Sequence, residues 1–242
     1  MDFEKEYQEV IKHDLGQDFT TQDINFISQI VSECKSVVEL GTGQCAMDRV
    51  FLRYDVKLDT YDIEDCPDNF LEEAKSAGKD VTFHKEDTLK VEIPETDILF
   101  VDSFHSYEQV KTELALHASK AKRYIIFHDT VLFANKNQGI VCDEESDIQL
   151  AAESIGILEP TTKGIVPAIE EFLESHPEWS IVYNSKEGNG MIVIKKLVEN
   201  EVVVIGHNIT QFNPFIIESG TPQFDAYMKQ LEGNPTTKKL VE

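Results

Sequence analysis

From residue 36 onward, short β-branched runs alternate with longer amphipathic ones, and this rhythm constrains the fold more than any other feature of the chain. The apolar runs are SVVEL (36–40), KLDTYDI (57–63), DVTFH (80–84), DILFVD (97–102) and YIIFHD (124–129). Between them, apolar residues recur at helical spacing over about 46–53, 67–77 and 106–121. Such alternation predicts parallel βαβ units, because parallel neighbours need a crossover and a helix covers the sheet face as it crosses. A helix over 166–176 then leads into WSIVYNS and MIVIKK, which flank the turn-forming KEGNG at 186–190 and read as an antiparallel hairpin. The expected architecture is α/β: a Rossmann-like, doubly wound, mostly parallel seven-stranded sheet with an antiparallel closing hairpin.

Residues 1–35 read as N-terminal helices, with helical spacing over 3–12 and 21–34 and Thr20 or Thr21 as N-cap. The sheet domain is expected over 36–197, with 130–164 as a lid or insertion that carries the acidic run DEESD. Residues 198–242 form a C-terminal extension with a strand-like VVVIG (202–206) and a helix-like FDAYMKQLE (224–232), and such additions often build a homodimer.

Charge narrows the partners. With 22 basic and 45 acidic residues the net charge is −23, which repels the phosphates that duplex binders neutralise with Lys and Arg, so no nucleic acid is expected. No apolar run approaches the roughly 18 residues of a membrane span, and the first residues lack the basic-then-apolar order of a signal peptide. Cys34, Cys45, Cys66 and Cys142 are scattered, without a C-x-x-C pair, which fits a reducing compartment. The expectation is a cytoplasmic protein with no membrane partner.

The chemistry gathers at strand ends. The first run ends in Glu39-Leu40-Gly41-Thr42-Gly43-Gln44-Cys45-Ala46, where Gly41 and Gly43 permit a tight turn and a helix start offers amide donors to a ligand. GTGQCA also fits the G-x-G-x-x-A dinucleotide pattern, so a nicotinamide-dependent oxidoreductase is one reading. Asp62 follows Gly43 by 19 residues, a spacing at which an acid accepts both ribose hydroxyls in dinucleotide and S-adenosylmethionine sites alike. Asp87, after the third run, is placed to meet an adenine amino group.

Together, Glu39-x-Gly41-x-Gly43, Asp62, Asp87, ILFVDSFHSYEQVKTEL, YIIFHDT and the closing hairpin resemble the class I S-adenosylmethionine-dependent methyltransferases. VDSFHSYEQV followed by IIFHDT is similar, more narrowly, to the metal-dependent small-molecule O-methyltransferases of the macrocin and cephalosporin-hydroxylase-related type. The resemblance covers about 36–197 and departs from E-x-G-x-G-x-G at Cys45. It implies methyl transfer from S-adenosylmethionine to a hydroxyl of a small molecule or sugar, with Glu39, Gly41, Thr42, Gly43, Asp62 and Asp87 binding the cofactor. It also implies a divalent metal on Asp102 and Asp129, with His128 ranked below them, because alternation along a strand would point His128 away from its neighbour. Mg²⁺ heads the candidates for oxygen ligands, and His128 admits Mn²⁺, Fe²⁺ or Zn²⁺. His105, three residues after Asp102, is a candidate general base, with Asp102 beside it in the catalytic set. A non-enzymatic binding or assembly module on the same fold is the further alternative, suggested by Cys45, His128 and the tail.

Overall fold

The computed structural model describes residues 4–5, 18–67, 69–138, 161–198, 201–205 and 214–218, the last two stretches as backbone. The N-terminal helix α1 (Thr21–Val31) begins at Thr20, whose hydroxyl accepts the Asp23 N–H while the Asp23 carboxylate accepts the Thr20 N–H in return. This reciprocal cap satisfies two donors that a helix start leaves open. Ile24, Ile27, Ile30 and Val31 are buried at helical spacing, and the Tyr183 hydroxyl donates to Asp23 at 2.7 Å, tying α1 to the far edge of the sheet.

The sheet domain follows as β1 (Ser36–Leu40), α2 (Ala46–Phe51), β2 (Lys57–Asp62), α3 (Phe70–Ser76), β3 (Asp80–Lys85), β4 (Thr96–Val101), α4 (Tyr107–His117), β5 (Ala121–His128), α5 (Val166–Ser175), β6 (Trp179–Ser185) and β7 (Met191–Lys196). Their order in the seven-stranded sheet is β3-β2-β1-β4-β5-β7-β6. The strands β1 to β5 pair in parallel, and β7 pairs antiparallel with β5 and β6. The chain reverses its direction of travel across the sheet between β1 and β4, and a doubly wound sheet opens its ligand crevice at the carboxyl ends beside such a switch.

Successive residues of the central strands enter opposite cores. Val37, Ile98, Phe100 and Ile126 pack with α1 and α2, whereas Val38, Leu99, Val101, Ile125 and Phe127 pack with α4 and α5. A chain buried on both faces cannot show the polar-apolar alternation of a half-exposed strand, which is why these runs read as continuously apolar.

Several bounds differ from the sequence reading. The strand expected at 124–129 starts at Ala121 and stops at His128, because Asp129 has φ +58° and leaves the extended conformation. The helix expected over 106–121 is α4 followed by a 3₁₀ turn at Ala118–Lys120. In the extension, β8 (Glu201–Ile205) pairs with β9 (Pro214–Glu218), a strand the sequence reading did not expect. The expected helices at 3–12 and 224–232, most of the 130–164 lid and Cys142 lie outside the described residues, apart from helical Glu4 and Lys5.

Candidate active site

Two half-sites meet at the carboxyl edge of β1 and β4. In the first, the loop after β1 turns through Gly41 at φ +95° and Gly43 at φ +49°, conformations that cost a side-chain-bearing residue about 1–2 kcal/mol each. A methyl group on Gly41 would run into the Asp102 carbonyl, so glycine is needed there for contact as well as for conformation. The Gly41 N–H donates to the Tyr61 carbonyl and the Asp102 N–H to the Leu40 carbonyl, both at 2.8 Å. The glycine loop and the end of β4 are thereby one rigid junction.

Asp62 organises this loop from β2. Its Oδ2 accepts the Thr42 and Gly43 N–H groups at 2.9 and 3.0 Å, and its Oδ1 accepts the Glu64 N–H at 2.9 Å. Three bonds leave about one of the roughly four acceptor directions of a carboxylate for a ligand hydroxyl. The loop amides expected to be open are thus turned onto Asp62. Ile63 follows it with 66 % of its surface exposed, an apolar side chain beside the Asp62 carboxylate.

Beneath the loop, Thr60 donates to Glu39 at 2.6 Å and shares a 2.6 Å bond with Thr42. Glu39 lies against Asp48 of α2, and both are buried. Burial raises both carboxyls, Glu39 further by the charge of Asp48, and Asp48 is pushed up to about 7. Asp87 is engaged by its own turn, accepting the Leu89 N–H at 2.9 Å and pairing with Lys90 at 2.7 Å.

The second half-site joins β4 to β5. Phe100 pairs with Ile126 and Val101 with Phe127, so the register carried one step further sets Asp102 beside His128. The strand neighbour of Asp102 is therefore His128. Asp129 joins from the next position because its left-handed backbone breaks the alternation. The His128 Nδ1 lies 3.1 Å from Asp102 Oδ1 and 3.5 Å from Asp129 Oδ1, while the His105 Nε2 lies 3.2 Å from Asp102 and 3.3 Å from Asp129. Ligand atoms of Asp102, His128 and Asp129 all lie within 4.8 Å of one another, a grouping able to hold a metal ion.

The electrostatics are those of two acids facing two imidazoles. Burial pushes the Asp102 carboxyl up, yet the His128 charge and the bonds from both imidazoles outweigh it and hold it below the usual carboxylate range. Burial pushes His128 down, but Asp102 and Asp129 raise it to about 9, and His105 is raised in the same way. Asp129 is raised by burial, and its Oδ1 is buried without a hydrogen-bond partner among the described residues.

Residues not singled out from the sequence complete the cluster. Phe19 stacks on His128 with ring centroids 3.8 Å apart, and the His128 Nε2 lies 3.3 Å from the Asp18 carbonyl. Asn189, from the β6–β7 turn, donates to Asp18 through its backbone and side chain at 3.2 and 3.0 Å. Gln138 Oε1 lies 3.2 Å from His105 Nδ1, and Phe133 stacks on His105 at 4.8 Å. Asp18 is 110 residues from His128, and no local pattern foretells such a contact. A groove of about 480 Å³ between α4 and α5, lined by Leu114, Phe172 and Trp179, opens instead at the amino end of β5.

No family model matches the chain, and no curated protein matches it. Solved structures do. A Staphylococcus aureus protein provisionally named a caffeoyl-CoA O-methyltransferase superposes with a TM-score of 0.52 at 12% identity, over 81% of this chain and 93% of that one. An O-methyltransferase family protein from Burkholderia thailandensis gives 0.52 at 12% identity, over 82% of this chain and 60% of that one. At this identity the likeness is one of fold. The chain has the fold of class I S-adenosylmethionine-dependent methyltransferases, as its motifs resemble theirs.

Proposed function

We propose that the chain transfers a methyl group from S-adenosylmethionine to a hydroxyl of a small molecule or sugar, with a divalent cation at Asp102, His128 and Asp129. The observation that carries this reading is the junction of the two half-sites, where Gly41 packs on the Asp102 backbone and the glycine loop held by Asp62 abuts an acid–imidazole cluster. The fold shared with methyltransferases supports it. The residues fit a cation: two carboxylates and an imidazole converge, and the buried Asp129 Oδ1 has no hydrogen-bond partner among the described residues.

When bound, such a cation supplies a positive charge that lowers the pKa of an acceptor hydroxyl. The rest is the work of side chains. Asp62 and the loop from Gly41 to Cys45 position the donor, with Ile63 under its base. His105 Nε2, placed between Asp102 and Asp129, takes the hydroxyl proton, and the two carboxylates stabilise the resulting imidazolium. Phe133 and Phe19 cover the two imidazoles and keep bulk water from the proton path.

Calorimetric titration with S-adenosylhomocysteine and with NAD tests the reading. Binding of the first and not the second is expected. Binding of NAD alone would return the glycine loop to nicotinamide chemistry.

A further inference from the structure

We propose that the cation site is built for a first-row transition ion, of the class Mn²⁺, Fe²⁺, Co²⁺ or Zn²⁺, and discriminates against Mg²⁺, with His128 Nδ1 as the deciding ligand. This rests on the function proposed above for the place of the ion, and not on methyl transfer itself. The starting point is which nitrogen of His128 carries hydrogen. Its Nε2 faces the Asp18 carbonyl at 3.3 Å, and a carbonyl can only accept, so Nε2–H is the donor. Nδ1 is thus the nitrogen turned inward, 3.1 Å from Asp102 Oδ1 and 3.5 Å from Asp129 Oδ1, and the hydrogen it shares with Asp102 is what an ion would replace.

Two carboxylates facing one imidazole nitrogen are compensated by a proton on that nitrogen or by a cation in the proton's place. Metal-bound histidines have this arrangement, the outer N–H donating to a carbonyl so that the inner nitrogen is free to ligate. The ring cannot readily flip, because Phe19 is stacked on it at 3.8 Å with 13° between the planes. Asn189 fixes the acceptor by holding Asp18 through two hydrogen bonds. His105 repeats the pattern: its backbone N–H donates to Gln138 Oε1 at 3.1 Å, which identifies that atom as the acceptor of Nδ1–H and leaves Nε2 toward the carboxylates.

The donor set then decides the ion. Mg²⁺ demands near-octahedral oxygen coordination and keeps several waters, whereas imidazole nitrogen suits Mn²⁺ to Zn²⁺ increasingly along the first row. A site for Mg²⁺ gains nothing from a buried imidazole whose tautomer is fixed by a segment 110 residues away.

The test uses the full chain, stripped with a chelator and titrated calorimetrically with Co²⁺, Mn²⁺ and Mg²⁺ in the absence of methyl donor. Co²⁺ is expected to bind at least about tenfold tighter than Mg²⁺. Electron spin echo modulation of the Mn²⁺-loaded protein should show a directly bound imidazole nitrogen. In His128→Asp, with unchanged circular dichroism, the Co²⁺-to-Mg²⁺ preference should fall by about tenfold or more. Equal affinities, no nitrogen coupling, no binding of any of the three ions, or a folded variant that keeps the preference would each overturn the proposal. Should the variant unfold, the nitrogen coupling in the natural chain remains decisive. Failure to bind S-adenosylhomocysteine alongside intact ion selectivity would sink the methyltransferase reading and leave this one standing.

Discussion

Beneath the glycine loop, Glu39 and Asp48 are buried against each other and both carboxyls are raised, whereas at the ends of β4 and β5, Asp102 and Asp129 are faced by two imidazoles. Both regions place paired acids in a low-dielectric setting, where two like charges cannot stand uncompensated. In the first, raised carboxyls favour a shared proton, which relieves the repulsion beneath the loop. The second is answered by positive charge and stays polar, open to an ion and to an acceptor. Under the proposed function, the first pair supports the loop and the second carries the chemistry.

The junction between the regions is where the comparison breaks most completely. Gly41→Ala would place a methyl group into the Asp102 carbonyl at a positive φ, and we expect thermal unfolding to report a loss of about 3 kcal/mol or more, with cofactor affinity lost too. Asp62→Ala is expected to weaken S-adenosylhomocysteine binding by ~1–3 kcal/mol in calorimetry, since it removes the proposed ribose acceptor and releases the Thr42 and Gly43 amides. Unchanged affinity would take Asp62 out of the site. Cation affinity at the second region should be unaffected.

The raised pair beneath the loop has its own signature. With Asp48 raised to about 7, the folded state holds a proton that the unfolded chain has released, so stability contributed by this group falls as pH rises from about 4 to about 7. Asp48→Asn should therefore match the natural chain at pH 4 and exceed it by about 4 kcal/mol at pH 8 in denaturant titrations. A pH-independent difference would mean that Asp48 is ionised in the fold. The smallest effect is expected from Asn189→Ala, which loosens Asp18 and with it His128: about 1 kcal/mol of stability, with weaker cation binding and unchanged S-adenosylhomocysteine affinity.

These regions were not equally legible in the sequence. The glycine loop and Asp62 could be read because a turn and an acid at a fixed offset are local signals, and the sheet order follows from strands of the right length joined by helices. The place of His128 is harder to read, because alternation counted along β5 alone gives no view across the sheet. Its place beside Asp102 depends on the cross-strand register, and the presence of Asp129 in the same cluster depends on one left-handed residue. Asp48 gave no signal either: an acid in the first turn of a short helix reads as an ordinary cap, and only the fold brings it against Glu39. Asp18, Phe19 and Gln138 come from segments that carry no motif, and packing alone brings them to the imidazoles.

Anomalous diffraction from crystals grown with S-adenosylhomocysteine and Mn²⁺ tests the central claim most directly, because it views both half-sites at once. The account predicts the nucleoside over Gly41 to Cys45 with its ribose at Asp62, the sulfur facing β4, and a manganese peak among Asp102, His128 and Asp129. A ligand bound elsewhere, or a crevice filled by S-adenosylhomocysteine with no anomalous peak at that cluster, would contradict it.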